Sequence, residues 1–174
     1  MATSNIPEII NNFNVYTGGT QLIGTSGSIT LPTLEAITET MSGAGILGEY
    51  DTAVIGQYSS MEQEIPFRIL ESDIFSIMDP STGVNLTFRA SQQSTVKSTA
   101  ALAYKQMRIV ERGRLKSFTP GKLEMGKQMD ASVTLTVLYI LVEIDGKTML
   151  EYDKLNDVFI LNQTDMLKKI RSYC

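Results

Sequence analysis

Two carboxylates two residues apart, Glu62 and Glu64, are the nearest this sequence comes to a catalytic pair. In a strand that spacing puts both on one face, where one could donate a proton and the other accept it. The same spacing arises on any solvated strand, and no aromatic sugar platform accompanies the pair, so a solvated face is the preferred reading. A second motif, Gly43-Ala44-Gly45-Ile46-Leu47-Gly48, spells the G-x-G-x-x-G of a dinucleotide-binding turn. That chemistry needs a helix opening at the last glycine, whose amides hold the pyrophosphate. The next residues, Glu49-Tyr50-Asp51-Thr52-Ala53-Val54-Ile55-Gly56, are a poor helix former. A flexible glycine-rich loop is expected there instead.

The remaining inventory excludes most catalysis. The chain has no histidine and no tryptophan, and its one cysteine is the final residue, Cys174. Serine–histidine and cysteine–histidine nucleophiles, histidine or thiolate metal sites and internal disulfides are therefore out of reach. No enzyme activity, cofactor or metal is expected. A net charge of −4 argues against tight binding of nucleic acid through phosphates, although weak repulsion suits a polyanion that only slides past. The longest uncharged apolar run, Ala131–Val142, falls far short of the ~20 residues that span a bilayer. No secretory signal is recognisable, so synthesis in a reducing cytoplasm without stable membrane association is expected.

These residues need elements to position them. With 43% hydrophobic and 20% charged residues, the 174-residue chain suits one domain spanning 1–174, with 1–5 loose. Strands are expected at 14–17 and 21–24, flanking Gly18-Gly19, and again at 28–32 and 34–40. Met61–Leu70 alternates, with Pro66 marking an edge or a bulge. Val84–Ala90 is a strand, Ser91–Thr99 a polar connector, and 102–118 a long extended segment. Residues 123–130 form a charged loop. Ala131–Ile144 is the strongest strand, with Val133, Leu135, Val137, Tyr139 and Leu141 on one face; the other turns apolar at Leu138, Ile140 and Val142. Asp145-Gly146 signals a type I′ hairpin into 147–152. Helices are expected at Ser72–Asp79, stopped by Pro80, and at Thr164–Ser172. The sum is a mainly β fold: an antiparallel β-sandwich or barrel-like sheet pair with a short mid-chain helix and a C-terminal helix.

Two stretches stand out as contact surfaces. Residues 41–58 are too long for a turn and too rich in glycine for a regular helix. Met41, Ile46, Leu47, Tyr50, Val54 and Ile55 of this stretch are apolar or aromatic side chains that need something to bury against. In the long segment, Arg108, Arg112, Arg114 and Lys116 share one face. They have no interleaved aromatics for base stacking, so acids of a neighbouring subunit or strand are the expected partners.

The order of several motifs resembles the major tail tube proteins of contractile-tailed phages, in particular the P2-like family and the related R-type bacteriocins. Ser28-Ile29-Thr30-Leu31-Pro32-Thr33-Leu34 is followed by Gly43-Ala44-Gly45 with Gly48-Glu49, then the acidic strand 61–70 and the mid-chain helix. Arg112-Gly113-Arg114-Leu115-Lys116 precedes the G-K-x-x-x-G-K of 121–127, and Asp145-Gly146-Lys147 leads to Leu150-Glu151-Tyr152-Asp153 and Asn156. The likeness runs from near residue 10 almost to the end. The chain departs from the pattern in lacking a strongly basic C-terminal tail and in its Ser/Thr-rich 91–100 stretch, which leaves the subfamily open.

The resemblance implies a structural subunit, not an enzyme. It implies homohexameric rings, each subunit giving strands to one continuous barrel, and stacking of rings through a long loop and the terminal segments. Implied partners are copies of the chain, the tail sheath protein, the tape measure protein, and baseplate and tube-terminating proteins, with DNA or ions only as transiting cargo. The place implied is a virion or phage-tail-like particle assembled in a bacterial cytoplasm. Within this frame, Met41, Gly43, Gly45, Ile46, Leu47, Tyr50, Val54 and Ile55 are expected to contact the next ring. Arg108, Arg112, Arg114 and Lys116 are expected to pair across subunit boundaries. A type VI secretion-like tube protein and, from another class, a β-sandwich binding module are the alternatives.

Overall fold

A computed structural model describes residues 5–174. The loose start expected for 1–5 therefore falls outside the described residues except at Asn5, which already opens the first strand. Eleven strands and two single-turn helices succeed one another in the described chain. They are β1 (Asn5–Thr17), β2 (Thr20–Gln21), β3 (Ala36–Ser42), β4 (Glu49–Tyr58), β5 (Met61–Phe67), α1 (Ser72–Phe75), β6 (Val84–Val96), β7 (Leu102–Thr119), β8 (Ala131–Ile144), β9 (Lys147–Asp153), β10 (Val158–Leu161), β11 (Thr164–Asp165) and α2 (Lys168–Arg171). Nine strands form one antiparallel sheet in the order β11-β10-β9-β8-β7-β6-β1-β2, with β5 on β8 beyond the end of β9. The other two, β3 and β4, pair only with each other.

The mainly β reading holds, and local structure departs from expectation where pairing outweighs sequence pattern. The polar stretch 91–96 is strand, because β1 and β7 satisfy its backbone on both sides. The mid-chain helix has a single turn. Beyond Phe75 the amides of Ile77 and Met78 reach back only three residues, to the carbonyls of Ile74 and Phe75. Ser72 does not cap it; Glu71 stands at that position with no side-chain bond. The C-terminal helix shrinks to α2, since Thr164 and Asp165 pair with β10, a strand that the sequence pattern does not announce. Pro66 does sit on an edge, since β5 pairs with β8 alone among the strands.

The core lies on one face of the sheet. Leu86, Ile109, Val133, Leu135, Val137, Ile140, Tyr152 and Phe159 come from neighbouring strands. Leu22, Ile74 and Ile77, with Ile29, Leu34, Tyr58 and Leu167, cover them from segments between and beyond the main strands. The change of apolar phase along β8 has a geometric cause. Arg112 faces Tyr139, but Gly113 faces Val137, so Leu138 is an extra residue in a β-bulge. The bulge turns Ile140 to the side of Val133, Leu135 and Val137 and leaves Tyr139 and Leu141 on the opposite face. Gly113 makes this possible: a Cβ there would lie 2.2 Å from the Thr136 carbonyl oxygen.

One core position is occupied by a carboxylate. Glu111 sits on the core face between Leu86 of β6 and Ile140 of β8, is 1% exposed, and has a hydrogen-bond partner on neither oxygen. Burial pushes its pKa up to about 8, so it is mostly a neutral acid at pH 7.

Candidate functional site

The motifs that suggested chemistry resolve into surface structure. Glu62 and Glu64 are exposed on β5, and Glu62 pairs with Lys116, as on a solvated strand face. The G-x-G-x-x-G sequence is the turn between β3 and β4, with φ of 152°, 90° and 89° at Gly43, Gly45 and Gly48. Glu49 begins a strand and not a helix, so there is no bundle of amide donors for a pyrophosphate. Among the described residues no group of acidic, cysteine or histidine side chains could hold a metal ion. No described helix is long and apolar enough to cross a membrane.

The segment 41–58 is an ordered hairpin and not the irregular loop expected. β3 and β4 run in register from Thr38↔Ala53 to Ser42↔Glu49, with Thr40 Oγ1 donating to Asp51 Oδ1 at 2.7 Å. Threonines and β-branched residues favour this ribbon, and the glycines close its tip. Met41, Ile46, Leu47, Tyr50, Val54 and Ile55 are all exposed along it, Leu47 completely. Every residue from Ile37 to Ile55 is exposed, so the ribbon is an arm that projects without a core of its own.

The four cations of β7 do not share one environment. Arg108 Nε donates to Glu143 Oε2 at 2.7 Å, and Lys116 pairs with Glu62, both within the chain. The Arg112 guanidinium lies 3.7 Å from the centre of the Tyr139 ring, while the Tyr139 hydroxyl donates to Glu151 at 3.0 Å. Burial raises the pKa of Tyr139, and its bond to Glu151 acts in the same direction. Arg114 has no partner among the described residues. On β6, Arg89 stands opposite Arg108 and is drawn over the Tyr16 ring, 5.4 Å from its centroid. The sequence shows the cations but not their acids, because Glu143 and Glu62 lie 35 and 54 residues away in the chain.

The arm leaves apolar side chains exposed, and comparison with known proteins gives the chain a family. Residues 7–173 match the family described as phage tail tube protein FII. The tail tube protein of Escherichia phage P2 is 25% identical over 170 residues, covering 95% of this chain and 96% of that protein. In fold, the chain is similar to the sheath/tube terminator of the extracellular contractile injection system PVC in its extended state. The TM-score is 0.55 at 12% identity, over 79% of this chain and 96% of that one. With almost its whole length matched, this chain belongs to the phage tail tube protein FII family, and is a structural component of a phage tail or tail-like particle.

Proposed function

We propose that the chain forms homohexameric rings that stack, arm to ring, into the hollow inner tube of a contractile tail. The observation that carries this reading is the β3–β4 arm. Its apolar residues are left exposed in their own subunit, Leu47 completely, and a neighbouring ring supplies the missing cover. Rings made by head-to-tail contacts close on themselves and also remove unpaired strand edges such as that of β1, which bonds β2 only at Tyr16 and Thr17. Sheath, tape measure, baseplate and tube-terminating proteins are the partners of such a tube, and DNA or ions are its cargo. The net charge of −4 leaves phosphates few attractive contacts.

Arg114, with no partner among the described residues, is the cation of β7 best placed to pair across subunit boundaries; Arg112, which lies over Tyr139 and acts on Asp153 through its field without forming a salt bridge, is the next. Arg112→Glu then weakens assembly, and unchanged assembly removes this part of the proposal. The test of the whole is negative-stain electron microscopy of the purified protein over a range of concentrations, beside a variant in which a short turn replaces 41–57. Six-fold rings and tubes from the parent, with rings alone from the variant, are the expected result. Compact single particles at every concentration, even with a baseplate nucleus added, would overturn it.

A further inference from the structure

The arm is free along its length but held at its root. Between Ala36↔Tyr58 and Thr38↔Ala53 the pairing skips, so that Ile37 on β3 faces four residues, 54–57, on β4. Inside that bulge Gly56 has φ +80°, a conformation that side-chain-bearing residues avoid. A Cβ at Gly56 would lie 2.7 Å from Leu167 Cδ2, so the end of that leucine fills the space the glycine leaves open.

Three carbonyls at the root are held by side chains of β9 and the residue after it. The Tyr152 hydroxyl donates to the Gly56 carbonyl at 3.0 Å. Lys154 Nζ donates to the carbonyls of Tyr58 and Ser59 at 3.2 and 2.6 Å. The Tyr58 ring packs edge-on against Tyr152 and Phe159, with centroids 5.1 and 5.6 Å away.

Leu167 is itself fixed from its far side. Its amide donates to Asp165 Oδ1 at 3.0 Å, and the Met166 amide donates to the Phe159 carbonyl at 2.9 Å. Arg171 pairs with Asp165 and donates to the Asp157 carbonyl at 2.6 Å. The chain's last hairpin and helical turn thus hold one apolar side chain against the pivot of a distant ribbon.

We propose that Tyr152, Lys154 and Leu167 are positioning residues that form a seat for the arm and set the direction in which it leaves the subunit. The proposal rests on the reading of the arm as the contact between rings. At about 3.3 Å per residue, the tip stands roughly 25 Å from Gly56. A rotation of about 10° at the root therefore moves the tip by about 4 Å, the width of a side chain, enough to miss a pocket on the next ring. A seated arm enters its contact with that orientational freedom already lost, which favours stacking. Because residues 164–171 build one wall of the seat, the C-terminus and the arm act as one device.

The experiment measures the arm without relying on assembly. In a Cys174→Ser background, spin labels at Ala44→Cys on the tip and Asn85→Cys on β6 report one distance by pulsed electron resonance in dilute, unassembled protein. A single narrow distribution is expected for the parent. At least a twofold broadening is expected for Lys154→Met with Leu167→Ala, together with at least a tenfold fall in tube yield. Gly56→Ala, which displaces Leu167 and strains the pivot while leaving Tyr152 and Lys154 in place, gives an independent broadening if the double variant fails to fold. A distribution as narrow in both variants as in the parent overturns the seat, whatever happens to tubes. Broadening with normal tube yield overturns its role in stacking. Tubes that form normally after replacement of the arm refute the inter-ring reading instead, and the distance measurement still tests the seat.

Discussion

The β6–β7–β8 sheet and the β3–β4 arm are both antiparallel ribbons of the same chain, yet they are stabilised by opposite means. In the sheet, each strand interior is paired on both sides, and one face is buried against Leu22, Ile74 and other covering residues. In the arm, two strands pair only with each other and both faces meet solvent. A two-stranded ribbon with no buried face is marginal in water. The sheet makes the subunit fold, while the arm carries exposed apolar surface, which under the proposed assembly the next ring buries.

The contrast breaks most visibly in the core. Leu135→Ala empties a fully buried site and costs about 3–4 kcal/mol of subunit stability. Chemical denaturation checks this, and a loss below about 1 kcal/mol would mean that the sheet does not hold the core as described.

Nearly as large, and opposite in sign, is Glu111→Gln. The folded protein holds the Glu111 proton up to about pH 8, against an ordinary value of 4.5 for the free group. The folded state thus binds an extra proton between those values, and subunit stability falls as pH rises through that window. At pH 7, about 2.5 units above 4.5 and at roughly 1.4 kcal/mol per unit, the penalty is about 3 kcal/mol. Glu111→Gln recovers that amount at pH 7, raises the melting temperature by on the order of 10 °C, and gives no gain at pH 4. A gain of the same size at both pH values would show that packing, not ionisation, is the cause.

Smaller effects sharpen the comparison. A double-mutant cycle on Arg108 and Glu143, exposed and partly exposed, should return a coupling below about 1 kcal/mol that shrinks in high salt. The smallest change in the subunit is at the arm tip. Leu47→Ser should leave the melting temperature within about 1 °C of the parent, because nothing in the chain covers that side chain. The same substitution should reduce tube formation severely, as counted by electron microscopy. A drop in monomer stability as large as that of Leu135→Ala would mean that the arm folds back and is no arm.

Legibility in the sequence tracks the range of the interaction. The Gly18-Gly19 and Asp145-Gly146 turns are readable because a turn is set by its own residues: φ is 53° and 90° at the first pair, 50° and 73° at the second. The alternation of Met61, Ile65 and Phe67 is readable because a half-buried strand imposes a period of two. The helix expected over 164–172 shortens to Lys168–Arg171 because its first two residues find a strand partner in β10, and pairing outweighs propensity in so short a segment. The apolar members of 41–58 are exposed as their sequence suggests, but their hairpin is hidden, because glycines at the tip obscure two regular strands.

Composition, motif order and local periodicity were sufficient for a mainly β chain without histidine chemistry and for its family. These properties are carried residue by residue and need no knowledge of distant contacts. Only the tertiary structure decided that Leu138 is a bulge, that Arg108 and Lys116 are held by acids far along the chain, and that Glu111 faces the core. It alone brought Leu167 to Gly56, 111 residues apart in sequence. Each depends on which strand lies beside which and in what register. That choice is made by burial summed over the whole sheet, and no single segment encodes it.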